Sequence, residues 1–221
     1  MTTPVTIAVE GHGTVSGLWQ APPTPVACLA LAHGAGAGMT HKGMAGLADG
    51  LEARGVATLR YQFPYMERGS SRVDPPGLAQ ATVDAACAEA LARAAGAPLF
   101  AGGRSFGGRM TSQAQAAEPL AGVRGLVFFA FPLHLAGKPA TERAKHLGGV
   151  AVPMLFLQGT KDTLAELDLL RPTVAALAPR ATLALFEHAD HSFHVPARSG
   201  RKDPEVLAEI LDTAAAWMAA H

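Results

Sequence analysis

Three short stretches of this chain carry side chains that can do chemistry together. The first is Gly103-Arg104-Ser105-Phe106-Gly107, a G-x-S-x-G pattern entered from the apolar run Ala97-Pro98-Leu99-Phe100-Ala101 and left through a helix-forming run over residues 109–118. A serine set where a strand turns sharply into a helix sits in strained backbone, and the residues two before and two after it must be small for the chains to pass. Gly103 and Gly107 meet that requirement. The helix that follows adds unpaired N–H groups and a partial positive charge beside the hydroxyl. In a chain with 24 glycines the bare pattern also fits a glycine-rich turn, so the nomination of Ser105 as nucleophile rests on the strand, the helix and the partners around it.

A serine hydroxyl attacks poorly near neutral pH, and needs a base to take its proton and a third group to hold that base. The second stretch, Gly159-Thr160-Lys161-Asp162, follows an apolar strand over residues 153–158 and places Asp162 in the loop at the strand's C-terminal end. Asp162 is the preferred acid. Its alternative role is to cap a helix starting near Thr163, and Glu166 and Asp168, inside the helical run, are weaker rivals. The third stretch, Glu187-His188-Ala189-Asp190-His191-Ser192-Phe193-His194, follows the strand that ends at Phe186. Three histidines spaced by three residues suit a metal only if the segment is one regular helix. It follows a strand directly and meets Pro196 soon after, which reads as a loop with a short turn. His191 is the preferred base, and no metal is expected.

The loop His33-Gly34-Ala35-Gly36-Ala37-Gly38 has side chains small enough for its backbone N–H groups to approach a substrate oxygen. It lacks the lysine and hydroxyl residue of a P-loop and the spacing of G-x-G-x-x-G, which argues against a nucleotide. The better reading is half of an oxyanion hole, the Ala35 N–H joining that of Phe106, with Gly34 and Gly36 against the substrate and His33 holding the loop in shape. Phe131 and Leu133 are placed by position as the lining of an acyl pocket.

The elements that must position these residues alternate. Residues 5–9 and 14–19 read as an antiparallel hairpin at one end of a sheet. Apolar strands at 26–32, 56–60, 97–101, 123–129, 153–158 and 181–186 are separated by helical patterns at 42–54, 78–95, 109–118 and 165–177, and a last helix spans 204–219. Strands apolar on both faces, alternating with helices, give a mostly parallel sheet of about eight strands with helices on both sides, within one domain over 1–221. The interval between the strands at 123 and 153 has room for one helix near 141–147 and not for a lid domain. The loop at 61–77 carries Tyr61, Phe63, Tyr65, Met66, Arg68 and Arg72; it either borders the site or packs its aromatics beneath it.

Eighteen basic and eighteen acidic residues cancel in a 221-residue chain that is 49% hydrophobic and 16% charged. No basic cluster suggests nucleic acid or an anionic membrane, so the expected partner is a small molecule. Met1-Thr2-Thr3-Pro4 has neither a basic segment nor an apolar core of a signal, no apolar run is long enough to cross a bilayer, and a cytoplasmic protein, monomer or homodimer, is expected. Cys28 falls in an apolar strand-like run and Cys87 in a helix-like run, and both read as buried, reduced thiols and not as a disulfide or a metal pair.

Taken together, the turn around Ser105, the His33-Gly34 loop, Gly159-Thr160-Lys161-Asp162 and Ala189-Asp190-His191-Ser192-Phe193 resemble an α/β-hydrolase over nearly the whole chain, most similar to the dienelactone-hydrolase-like branch. The resemblance implies that fold and a Ser105-His191-Asp162 triad. It does not imply the substrate: enzymes acting on dienelactone use a cysteine nucleophile where this chain has Ser105. The expected activity is hydrolysis of a small ester or thioester through an acyl-enzyme, without metal or organic cofactor. The alternative is a catalytically silent binding or scaffold protein on the same fold.

Overall fold

Strands that are apolar on both faces must be covered on both faces, and this is how the chain is layered. The structure is a computed structural model that describes residues 2–221; Met1, the first residue of the N-terminal segment considered above, lies outside them. The hairpin is β1 (Thr2–Val9) and β2 (Gly13–Gln20), and β3 (Ala27–Ala32) is followed by α1 (Lys42–Glu52) and β4 (Val56–Tyr61). Next come the short α2 (Pro64–Glu67), α3 (Pro76–Arg93), β5 (Leu99–Arg104), α4 (Phe106–Ala117) and β6 (Val123–Phe129). The chain ends with β7 (Met154–Gly159), α5 (Leu167–Ala175), β8 (Ala181–Phe186) and α6 (Asp203–Ala220).

All eight strands form one sheet in the order β1-β2-β4-β3-β5-β6-β7-β8. β2 is antiparallel to both its neighbours, and every pairing from β4 through β8 is parallel. Every residue of β3, β4 and β7 is buried, and successive side chains enter opposite cores, as the two-residue period of a strand dictates. Cys28 and Ala30 of β3, Leu126 and Phe128 of β6, and Met154 and Phe156 of β7 join α3, α4 and α5 on one face. Leu29 and Leu31, Val127 and Phe129, and Leu155 and Leu157 join α1 and α6 on the other. At the open end β1 buries only alternate residues, as one-sided cover requires.

The chain between β6 and β7 contains a single 3₁₀ stretch, Glu142–Gly149, and no inserted lid. The helix after Asp162 starts later than the pattern predicts, because residues 164–166 are used elsewhere. The Leu164 N–H donates to the Asp162 carboxylate, the Ala165 N–H to the Asp162 carbonyl, and the Glu166 N–H to His134 Nε2. Residues 61–77 are not all loop: β4 runs on to Tyr61, and α2 and α3 each begin with a proline, a residue preorganised for the first turn of a helix. No helix among the described residues is long and apolar enough to cross a membrane.

His146, on the 3₁₀ stretch, places Nε2 2.7 Å from the hydroxyl of Ser112, which is wholly buried on α4. Burial, reinforced by the Arg109 charge, pushes its pKa down to about 4. A histidine held neutral in the fold but free to protonate when unfolded contributes stability that is complete above roughly pH 6.5 and is lost as pH falls toward its folded pKa. Urea midpoints measured between pH 7 and 4 are therefore expected to fall less steeply in His146→Gln than in the parent protein. Parallel curves would contradict this role for His146.

Candidate active site

Ser105 occupies the turn between β5 and α4 with φ 48° and ψ −113°, a conformation that costs a non-glycine residue on the order of 1–3 kcal/mol. Neighbouring chains impose it. The Ser105 N–H donates to the Phe129 carbonyl at 3.0 Å, and its own carbonyl accepts the Arg109 N–H at 3.1 Å. α4 lies so close on the end of β3 that a Cβ at Gly107 would stand 2.5 Å from the His33 carbonyl oxygen, and β5 so close that one at Gly103 would stand 2.7 Å from the Ala32 Cβ. Both glycines are therefore demanded by close approach.

The Ser105 hydroxyl meets His191 Nε2 at 2.8 Å, and His191 Nδ1 meets Asp162 Oδ2 at 2.7 Å. Asp162 is 4% exposed. Its Oδ2 also accepts from Gln158 Nε2 at 2.5 Å, and its Oδ1 accepts from the Leu164 N–H at 2.8 Å. A carboxylate that can only accept keeps the imidazole proton on Nδ1, which leaves Nε2 free to accept from the serine. The loop bearing His191 is fixed by its neighbours: Asp190 Oδ1 accepts the Ser192 and His194 N–H groups at 2.7 and 3.0 Å, and Arg104 Nη2 donates to the His191 carbonyl at 3.3 Å.

His194 turns to Asp203 at 2.8 Å and His188 lies 3.8 Å from Glu187, so the three histidines face different partners. Among the described residues no three His, Cys, Asp or Glu side chains are grouped to hold a metal. Ser112 and His146 are a second serine–histidine contact, but Ser112 is wholly buried and no carboxylate hydrogen-bonds His146 among the described residues.

Ser105 and His191 open into a groove of about 580 Å³ whose wall includes Gly34, Ala35 and Gly36. The backbone orientation of that wall follows from what holds its carbonyls. His33 is wholly buried; its Nε2 accepts the Phe63 N–H at 3.0 Å, and so its Nδ1–H donates to the Gly34 carbonyl at 2.7 Å. Burial holds its pKa below the usual imidazole value, favouring this neutral form. The Tyr65 hydroxyl spans the Ala35 carbonyl at 2.9 Å and the Gly34 carbonyl at 3.3 Å. In a trans peptide the N–H points opposite to the C=O, so carbonyls drawn toward His33 and Tyr65 turn the N–H groups of Ala35 and Gly36 the other way. Phe106 opens α4, where first-turn N–H groups have no intrahelical acceptor. The far end of the same loop is gripped at Met39, whose N–H donates to Gln62 Oε1 at 2.9 Å and whose carbonyl accepts from Arg60 at 3.3 Å.

Of the two roles open for residues 61–77, the structure assigns the supporting one. Tyr61, Phe63 and Tyr65 are fully buried, and the Phe63 ring packs edge-on against His33 and Phe106. Phe131 and Leu133 are a correction: both are wholly inside the core, with Phe131 against Phe128 and Phe156, and neither reaches the groove. The turn that follows β6 bends them inward; Ala130 takes φ 59° there. Tyr65 is among the loop aromatics named from the sequence, whereas Gln158 and the guanidinium of Arg104, which contact Asp162 and the His191 carbonyl, are not singled out there. Arg104, inside the five-residue pattern itself, carried the one available signal.

The chain matches the family described as an alpha/beta hydrolase domain over residues 25–219 and belongs to that family. Its fold is shared by dienelactone hydrolase from Anabaena variabilis, with a TM-score of 0.80 and 20% identity over 100% of this chain and 98% of that one. A lidless a/b serine hydrolase from Xanthomonas campestris has a TM-score of 0.74 and 20% identity over 98% and 94% of the two chains. An alpha-beta serine hydrolase homologue from Coxiella burnetii gives 0.77 and 20% over 96% and 98%. The fold is thus the α/β-hydrolase fold, and the class of the protein is hydrolase.

Removing the Tyr65 hydroxyl takes the donor from the Ala35 carbonyl, while Gly34 keeps that of His33, and conserves the volume of the ring. Tyr65→Phe is expected to lower the unfolding free energy by about 1–2 kcal/mol, read from urea denaturation at pH 7. A loss below about 0.3 kcal/mol would show that the hydroxyl does not hold the loop.

Proposed function

We propose that the protein hydrolyses small esters or thioesters through a covalent acyl-enzyme. One observation carries this reading: the unbroken hydrogen-bonded chain from Ser105 Oγ through His191 to the buried Asp162, at 2.8 and 2.7 Å, standing at the wall of a solvent-open groove. Ser105 Oγ attacks the acyl carbon as His191 Nε2 takes its proton. Asp162 holds the ring in the required tautomer and stabilises the imidazolium that forms. The developing oxyanion is met by the N–H groups of Ala35 and Phe106. His191 then protonates the leaving alcohol or thiol, and the sequence runs again with water as the attacking group, releasing the acid and restoring the serine. The steps call only on side chains, backbone N–H groups and water.

Kinetics on nitrophenyl esters test the assignment. Ser105→Ala should fold normally and lose at least about 10⁴-fold in kcat, and Asp162→Asn, which keeps the shape of the acid but favours the wrong tautomer, should lose about 10³–10⁴-fold. Near-parental turnover by Ser105→Ala would remove Ser105 from the chemistry. With no lid to cover a long chain, acetyl and butyryl esters should turn over faster than long-chain esters, with no rise in rate when the ester aggregates. A preference for long chains would contradict the open-groove reading.

A further inference from the structure

Beside the groove over Ser105 lies a smaller cleft of about 280 Å³ that nothing in the proposed chemistry uses. It is continuous with the groove, because Lys42, Gly43, Arg104 and Ser192 line both. From that shared mouth it runs between α1 and the first turn of α6, walled by Gly46, Leu47, Phe193, Pro204 and Leu207. Leu47 and Phe193 are anchored in the core under α1 and α6. Phe193 holds φ 61°, an unfavoured conformation for a bulky residue, and its N–H is tied to the Asp190 carbonyl at 3.0 Å. The apolar wall is thus a built surface, positioned by the same loop that presents His191.

Two cationic side chains, Lys42 and Arg104, stand at the mouth. Among the described residues neither Lys42 nor Arg104 forms an ion pair within 4.0 Å, and the one hydrogen bond of the Arg104 guanidinium goes to the His191 carbonyl. The carboxylates whose charge Arg104 feels are Asp190 and Asp162. Both are occupied: Asp162 by His191, Gln158 and the Leu164 N–H, and Asp190 by the Ser192 and His194 N–H groups. At the opposite end stands Asp203, bound by His194 and by the Val195 N–H. An anion therefore finds guanidinium and ammonium N–H donors not engaged by carboxylates at the mouth, while Asp203 stands at the far end.

We propose that this annex receives the part of the substrate away from the reacting carbonyl, and that this part is a compact apolar group, such as an aromatic ring, bearing a carboxylate. The ring enters between Leu47, Phe193 and Leu207, and the carboxylate stays at the mouth between Arg104 and Lys42. The proposal rests on the ester-hydrolase reading for the meaning of the groove, but its test is a binding measurement that needs no turnover.

Calorimetric titration of the Ser105→Ala protein with 3-phenylpropionate and with its neutral analogue 3-phenylpropanamide separates the two components. The carboxylate should bind about tenfold more tightly than the amide, and Lys42→Gln should reduce that preference several-fold without altering amide binding. Gly46→Leu fills the annex: a Cβ at this mid-helix position meets nothing within 4 Å, so the fold is kept. It should weaken both ligands by about tenfold or more with no fall in the thermal midpoint. Equal affinity for the two ligands, binding indifferent to Gly46→Leu, or no binding at about 10 mM would overturn the proposal. Loss of ester turnover in the Ser105→Ala kinetics belongs to the chemistry alone and leaves this result unaffected.

Discussion

The site depends on one steric constraint, the close packing of β5 and α4 against the end of β3 across glycines. A side chain at Gly107 would be driven into the His33 carbonyl, and one at Gly103 into Ala32. With hydrogen alone at both positions, the helix packs onto the sheet directly after the serine, and the backbone turns from β5 into α4 through positive φ at Ser105. The hydroxyl is thereby lifted to the edge of the sheet instead of lying in a strand face. The strain is repaid by ordinary forces: the Ser105 N–H enters the β6 ladder, and two faces of the sheet close over apolar side chains. The same contact places His33, the last residue before the glycine loop, against the helix start, so that Ser105 and that loop are set by a single packing event.

Around that constraint the polar groups are held by partners that leave few alternatives. His33 can accept only from the Phe63 N–H on one side and donate only to the Gly34 carbonyl on the other. Asp162 spends its two oxygens on His191, Gln158 and a backbone N–H. The aromatic cluster of Tyr61, Phe63 and Tyr65 is buried, and through its hydroxyl Tyr65 reaches the Ala35 carbonyl of the glycine loop. Groups held this rigidly would suit the acyl transfer proposed above, since charge that develops on an oxygen is stabilised most by dipoles that need not reorient.

Much of this was legible in the sequence where the controlling physics is local. The turn at Ser105 is specified by residues within two positions of it, and Asp162 and His191 each follow directly on an apolar strand whose end the sequence marks. The doubly covered sheet follows from continuous runs such as residues 27–32, and the terminal hairpin from alternation. What was not legible depends on contacts between distant segments. Tyr65 meets Ala35 across 30 residues and Phe63 meets His33 across the same interval. Phe131 and Leu133, placed by position at the site, are turned into the core by the backbone at Ala130. The helix after Asp162 started late because three amides were diverted to the Asp162 carboxylate, its carbonyl and His134, none of which a helical period reveals.

The central claim is that the Ser105 hydroxyl, and no other group, is the nucleophile, made reactive by His191. Treatment of the folded protein with a fluorophosphonate, followed by intact-mass and peptide mass spectrometry, measures this directly. The account predicts one equivalent of adduct, carried by the peptide containing Ser105 and formed far more slowly in His191→Gln. Adduct on another residue, or ester turnover in a protein whose Ser105 stays unmodified, would contradict it.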